Sequence, residues 1–410
     1  MYAKSLHIYD FKCYGKAVLA LQYPGREAAG QPDLANVNLI LGDNGGGKSS
    51  VLRALAIATL APALLDSGFV PYRLVRRSAA GQPPVQEALL KIQAVVQDNE
   101  VFPKPSRRTR LELLARLDRL GPSRDRLHLD GTPDSPIAKL LADDHSPAFF
   151  VVGYGATRRV ETDDYSPGSH RRSRGLRYQR IASLFEDHVS LRPLQSWLLR
   201  LQSRDPSRFA QALEQFNRVL PENIRFNGEL DAETEQYLFD FEGVPTPFTS
   251  LSDGYKAFIG WLGDLIGHLC DVAPANVAID QISGIVLVDE IDLHLHPEWQ
   301  RRVIPNLSAA FARLQFVFTS HSPLVASTVR RENVFITARA EDGSATIKQL
   351  EENVYARSLE QLLLSSYFGL QSTRPESFQA QAQDLFQRAA VGDSAAALQY
   401  LERLTGSTKE

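Results

Sequence analysis

Apolar positions along this chain fall into alternating runs, continuous runs and helically spaced runs. Residues 4–12 (KSLHIYDFK) and 37–41 (VNLIL) alternate or run apolar as strands do, with a turn-rich stretch, Pro24–Asp33, between them. Ser49–Leu65 then reads as a helix that ends near Pro62. Residues 86–97 (QEALLKIQAVVQ) fit a strand or a helix, whereas Thr109–Leu120 has helical spacing and precedes a Gly-, Pro- and Asp-rich loop to about Pro136. Ala148–Val152 is strand-like and ends at Gly153-Tyr154-Gly155; residues 163–175 read as an exposed irregular loop, and helical patterns fill about 178–219. Gly284–Val288 and Gln315–Thr319 are continuous apolar runs separated by helical sequence, the mark of a parallel sheet covered on both faces. From about 355 the tail predicts three helices, Ser358–Leu364, Glu376–Ala390 and Ser394–Leu404.

Composition narrows this picture. The 410 residues exceed one small domain, and 43% hydrophobic with 23% charged residues is a globular balance. A net charge of -3 argues against a uniformly basic nucleic-acid coat but leaves local basic patches open. Cys13 and Cys270 are far apart, lack metal-ligand spacing and suit a reducing compartment. Met1–Leu6 has no signal-peptide run, and Ala54–Leu65 is too short to span a bilayer. A cytoplasmic protein with no membrane partner is expected.

Four motifs carry chemistry. Gly42-Asp-Asn-Gly-Gly-Gly-Lys-Ser49 is a G-x-x-x-x-G-K-S phosphate loop between a strand and a helix. Gly42, Asn44, Gly45 and Gly47 bring main-chain N–H groups to phosphate at a helix N-terminus. Lys48 is placed to bridge the β- and γ-phosphates of ATP, Ser49 to bind Mg²⁺, and Ser50 extends the site. The strand Ile285–Val288 ends in Asp289 and Glu290, a metal-binding carboxylate followed by the candidate general base. Phe248-Thr-Ser-Leu-Ser252-Asp-Gly254 opens an apolar helix and offers a hydroxyl and free N–H groups to an anion; alone it would more readily be a plain helix cap. His321 ends a strand, where it can donate to a γ-phosphate. His294 and His296 suit a structural turn leading to Pro297 better than a metal pair.

The order of these motifs resembles that of ABC-type ATPases. Leu251–Gly254 looks like the ABC signature, Ile291-Asp292 like the D-loop and His321 like the H-switch. The resemblance implies an α/β P-loop NTPase head that hydrolyses ATP with Mg²⁺ as a head-to-tail homodimer, open to higher assembly. Ser252 and Gly254 of one protomer then cover the nucleotide on Lys48 of the other, and Asp292 shapes the contact. Lys48 and Ser252 are 204 residues apart and Ser252 and Asp289 only 37, which resembles the SMC, RecF and OLD group rather than compact transporter ATPases. No long heptad array fills the interval. A further resemblance to stand-alone ATPases of bacterial anti-phage systems, the Septu type among them, is carried by four stretches. These are Gly153–Arg159, Leu251–Tyr255, Asp289–Pro297 and Leu362–Leu370. It implies a nuclease effector partner, HNH-type if Septu-like.

The expected divisions are 1–70 (first ATPase lobe), 71–244 (a basic, mainly helical insertion with a core strand near 148–152), 245–345 (second lobe) and 346–410 (helical tail). Arg158, Arg159, Arg171, Arg172 and Arg174, with the arginines of 104–126, are candidate nucleic-acid or partner contacts, against the alternative of a solvated face. The Q-loop residue stays open between the Gly155–Arg159 turn and Gln179. A RecF-like DNA-repair clamp and an ATP-assembled protein scaffold are the alternative functions.

Overall fold

The frame is an eleven-stranded sheet whose two halves differ in character. The structure, a computed structural model, describes residues 1–26, 33–78, 83–102, 110–129, 135–160, 174–231, 233, 236–340 and 342–405, without the side chains of 159–160 and 403–405. In chain order the strands are β1 (Tyr2–Phe11), β2 (Tyr14–Ala20), β3 (Val37–Leu41), β4 (Glu87–Val95), β5 (Arg110–Arg119), β6 (Asp125–His128), β7 (Val151–Tyr154), β8 (Arg159–Val160) and β9 (Ser190–Leu191). They continue as β10 (Ile224–Leu230), β11 (Tyr237–Phe241), β12 (Val244–Pro247), β13 (Gly284–Val288), β14 (Leu314–Thr319), β15 (Val334–Arg339) and β16 (Ala345–Lys348). The main sheet runs β6-β5-β4-β1-β2-β16-β15-β3-β14-β13-β7. Its β15-β3-β14-β13-β7 half is parallel, and β6-β5-β4-β1-β2 is antiparallel.

The parallel strands β3, β13, β14 and β7 are buried at every position, as continuous apolar runs require. Helix Lys48–Leu64 follows β3 and is buried almost all round, which leaves it little amphipathic character. Pro62 lies within it, so the helix runs slightly past the expected stop. In chain order, β3 belongs to the first expected lobe and β13 to β15 to the second, yet β3 lies between β14 and β15.

Thr109–Leu120 corrects a helical expectation. Residues 110–119 form β5, paired with β4 from Glu87↔Asp118 to Val95↔Arg110. Leu111, Leu113, Ala115 and Leu117 alternate inward, and this period of two outweighs the helix propensity of Leu, Arg and Glu. β6 occupies part of the expected loop before Pro136. The insertion therefore extends the sheet before its helices Leu194–Arg204 and Pro206–Val219 begin, and it also holds the separate antiparallel sheet β10-β11-β12. Residues 161–173, most of the expected exposed loop, lie outside the described residues.

The chain divides into two units, Met1–Arg357 and Ser358–Glu410, a boundary later than the expected 346. In the second unit, helix Leu359–Leu363 starts with a reciprocal Ser358/Gln361 capping box, and helices Glu376–Ala390 and Ser394–Thr405 pack on each other. Among the described residues no helix is long and apolar enough to cross a membrane.

Candidate nucleotide site

The phosphate loop leaves β3 and turns into helix Lys48–Leu64 through Gly47, whose φ of 96° places it in the left-handed region. A Cβ there would lie 2.6 Å from Cys13 Sγ and 2.9 Å from the Tyr14 ring, so both backbone angle and space require glycine. Lys48 Nζ donates to the carbonyls of Gly42 (2.8 Å) and Asp43 (2.9 Å), which folds the ammonium back over its own loop. Burial lowers its pKa against the opposing pull of Asp289, Glu290, Asp43 and Asp292. Asn44, Gly45, Gly47, Lys48, Ser49 and Ser50 line a cleft of about 430 Å³ together with Glu290 and His321. Lys12, Arg73 and Arg77 from other segments, and Arg53 from the same helix, add cations to its wall. A helix N-terminus facing this many cations suits a polyphosphate.

The acidic side is held by a hydrogen-bond relay. Asp289 N donates to Tyr154 O across β13 and β7 (2.8 Å). Thr319, fully buried at the end of β14, donates its hydroxyl to Asp289 Oδ1 (2.6 Å) and accepts from Glu290 N (2.8 Å). Glu290 adopts φ 47°, an uncommon angle for a residue with a side chain. His321 follows β14, where Ser320 N donates to Ile40 O in β3 (3.2 Å), so the histidine stands between the phosphate-loop strand and Glu290. The Ser49 hydroxyl lines the cleft, and the Asp289 carboxylate follows β13 directly before Glu290; both are hard oxygen donors of the kind Mg²⁺ takes.

Ser252 and Gly254 are not among the residues lining this cleft. Ser252 occupies the cap position of helix Asp253–Val272, yet its hydroxyl makes no capping hydrogen bond. That removes the simplest structural use of a serine at this place. A Cβ on Gly254 would lie 2.4 Å from His294 O, so the turn after Asp292 sets how closely this helix start can approach. A second hollow of about 380 Å³ borders the region, lined by Arg158, Asp253, Lys256, Trp261, His294 and neighbouring apolar residues. One carboxylate oxygen of Asp292 is buried without a hydrogen-bond partner among the described residues. His296 Nδ1 accepts from Glu298 N (3.4 Å) and caps helix Pro297–Gln300, a structural task.

The candidate arginines separate. Arg158 is half-buried, and its guanidinium donates to Glu290 O. Arg174 is engaged by both carboxylate oxygens of Glu186 at 2.8 Å. Arg171, Arg172 and the Arg159 side chain lie outside the described residues, as do Lys104, Arg107 and Arg108. On β4 to β6 the outer face mixes charges, with Lys91–Glu112, Arg116–Glu87 and His128–Asp118 pairs. Of the two Q-loop candidates, the Gly155–Arg159 turn lies beside Glu290, while Gln179 Nε2 is bonded to Arg174 O. Sequence reasoning missed Lys12, Arg53, Arg73, Arg77 and Thr319. Only Thr319 had a local signal, a hydroxyl directly after the apolar run Phe316-Val317-Phe318.

Comparison with known proteins matches residues 37–327 to the family described as "AAA domain, putative AbiEii toxin, Type IV TA system". The chain is 30% identical over 230 residues to Septu protein PtuA of Bacillus mycoides (strain KBAB4), covering 56% of this chain and 30% of that protein. It is 38% identical over 99 residues to "Retron Ec83 probable ATPase" of Escherichia coli, covering 24% and 18%. Septu protein PtuA of Bacillus thuringiensis is 26% identical over 161 residues, covering 38% and 40%. The matched stretches thus span less than half of each relative. Among solved structures, an Smc head bound to the C-terminal winged-helix domain of ScpA aligns with TM-score 0.51 at 17% identity, over 85% of this chain and 98% of that one. The Smc head with an extended coiled coil from Pyrococcus furiosus gives 0.51 at 16% identity, over 85% and 96%. These likenesses show the fold, that of an SMC-type P-loop head.

Proposed function

The chain belongs to this family of AAA domains, and from that premise we propose that it is an Mg²⁺-dependent ATPase of bacterial anti-phage defence. Two copies pair head to tail around two ATP molecules, and the pairing controls a nuclease effector. The observation that carries the pairing is the division of the motifs: one cleft gathers Lys48, Ser49, Glu290 and His321, while Ser252 and Gly254 stand at the start of helix Asp253–Val272, against His294 and beside a separate hollow. Ser252, with a hydroxyl that caps nothing, is left to meet the γ-phosphate held by a second copy.

In this reading the loop N–H groups and Lys48 hold the β- and γ-phosphates, and Lys12, Arg73 and Arg77 offset their charge. Mg²⁺, which Ser49 and Asp289 would hold, would supply charge neutralisation. Glu290 accepts the proton of a water attacking the γ-phosphorus in line, as the bond to the β–γ bridging oxygen breaks and ADP leaves. His321 donates to a γ-phosphate oxygen. Positioning and charge stabilisation account for most of the rate in such transfers. Relatives from Septu and retron systems support the defence role, and the resemblance to Septu-type ATPases supports the nuclease partner.

Mixing two inactive variants tests the pairing. Lys48→Ala loses the nucleotide, and Ser252→Arg blocks the covering loop. A mixed dimer rebuilds one intact site from the Lys48 of one copy and the Ser252 of the other. Hydrolysis should return on mixing, and sizing should show a larger species with ATP for Glu290→Gln. No recovery on mixing, with each variant folded, would remove the head-to-tail arrangement.

A further inference from the structure

Glu290 combines two demands that conflict. Its side chain lines the nucleotide cleft, while its main chain sits at φ 47°, a conformation an ordinary residue holds only when its surroundings fix it. On the amide side the Thr319 hydroxyl does so, at 2.8 Å from Glu290 N. On the carbonyl side there are two donors. Leu293 N reaches Glu290 O at 3.1 Å, a local turn bond. Arg158 Nη2 reaches the same oxygen from the loop after β7, 132 residues away in sequence.

Arg158 is otherwise a costly residue in this place. Burial draws its pKa down to about 10 against the pull of Asp289, Asp292 and Glu290, so a cation is kept in poorly solvated surroundings beside three acids. The unpartnered Asp292 carboxylate oxygen belongs to the same group of acids. Arg158 also lines the hollow beside Asp253 and Lys256, at the start of the helix that carries Ser252 and Gly254. A single side chain therefore touches the main chain of the candidate base and borders the helix start of the candidate covering loop. A nucleic-acid contact would need this guanidinium outside.

We propose that Arg158 is a positioning residue for hydrolysis: its guanidinium fixes the Glu290 peptide, and through it aims the Glu290 carboxylate at the attacking water. The inference rests on the reading of Glu290 as the general base. Arg158 does not line the phosphate cleft, so it sets turnover rather than nucleotide affinity. A misplacement of about 1 Å in a reacting group costs on the order of 100-fold in rate.

The test is a cycle of four full-length proteins: the parent, Arg158→Met, Glu290→Gln and the double variant. Turnover, ATP-analogue affinity and melting temperature are read for each. Arg158→Met is expected to lose about 100-fold in kcat while ATP-analogue affinity stays within about twofold. In the Glu290→Gln background it should add nothing, because there is no carboxylate left to aim. Arg158→Lys, which keeps a cation and a donor, should recover part of the loss and carries the test if Arg158→Met fails to fold. Full turnover in Arg158→Met overturns the proposal while leaving Glu290 as base, as does a parallel loss of affinity and turnover. Full turnover in Glu290→Gln instead removes the base reading itself.

Discussion

Replacing Thr319 with valine removes one oxygen and almost no volume, and it should damage the site from both sides. The hydroxyl donates to Asp289 Oδ1 at 2.6 Å and accepts from Glu290 N at 2.8 Å, in a side chain with no solvent exposure. A hydrogen bond to a charged group contributes about 1.5–3 kcal/mol, and a stranded buried amide costs about 1–3 kcal/mol more. Some relaxation offsets this, so about 3 kcal/mol is expected. For a unit as large as Met1–Arg357 that corresponds to a melting shift of about 4 °C, at roughly 1.3 °C per kcal/mol. Thr319→Ser keeps the oxygen and loses a methyl group, a change of about 1 kcal/mol. Thermal unfolding followed by circular dichroism reads the stability, and phosphate release reads turnover at saturating ATP and Mg²⁺. Thr319→Val should lose at least tenfold in turnover, and Thr319→Ser less than threefold. If serine is as damaging as valine, packing rather than the hydroxyl matters, and the relay between β14 and β13 has no functional weight.

Further tests reach other parts of the site. Lys12 lines the cleft with a pKa lowered to about 8 by burial, assisted by Arg53 and Arg73 and opposed by Asp125. Protonated Lys12 attracts phosphate, so ATP affinity should be highest below pH 8 and fall as pH rises through it. Titration of a fluorescent ATP analogue between pH 7 and 9 should show this fall in the parent and a flatter profile in Lys12→Gln. Gly254→Ala places a Cβ 2.4 Å from His294 O, so hydrolysis should drop by more than tenfold while one copy's ATP-analogue binding in the Lys48 cleft persists. Tyr154→Phe removes a bond of 3.0 Å to the buried Asp264 carboxylate in the helix behind Gly254. It should cost about 1.5–3 kcal/mol, read as a lower urea midpoint; an unchanged midpoint would mean that Arg192 and His268 satisfy Asp264 without it.

What could be read from the residues follows from where each property is encoded. β3, β13 and β14 are mostly apolar because the parallel sheet buries both their faces, with Asn38 and Gln315 buried on hydrogen bonds, and the acids, the histidine and the phosphate loop sit at the ends of those strands. Sequence position therefore marks spatial position for Lys48, Asp289, Glu290 and His321. β5 was less legible because Leu, Arg and Glu favour helices and only pairing with β4 fixes the alternation of Leu111, Leu113 and Leu117. The cations of the cleft were less legible still. Lys12 and Arg73 stand at φ 54° and 49° in turns far apart in the chain, and they meet the phosphate loop only once β1 lies in the sheet. Lys12 N donates to Leu74 O at 2.6 Å, the bond that joins the two turns.

Arg158 shows the same limit from the opposite side. In sequence it belongs to an arginine-rich stretch, and charge density points it toward an external phosphate. The register of β7 against β13 decides otherwise: Val288 pairs with Tyr154, so the turn after Tyr154 must leave the sheet beside the turn that carries Glu290. Four residues later the guanidinium is at the Glu290 carbonyl. A cation so placed contributes little to a basic surface, whereas Arg174, salt-bridged to Glu186, is spent on holding its own segment. Both guanidiniums are already engaged within the chain, so neither is expected to set the salt dependence of DNA affinity. Salt dependence gives the measure: if Arg158→Met or Arg174→Met lowered the slope of DNA affinity against salt by about one, that assignment would be wrong.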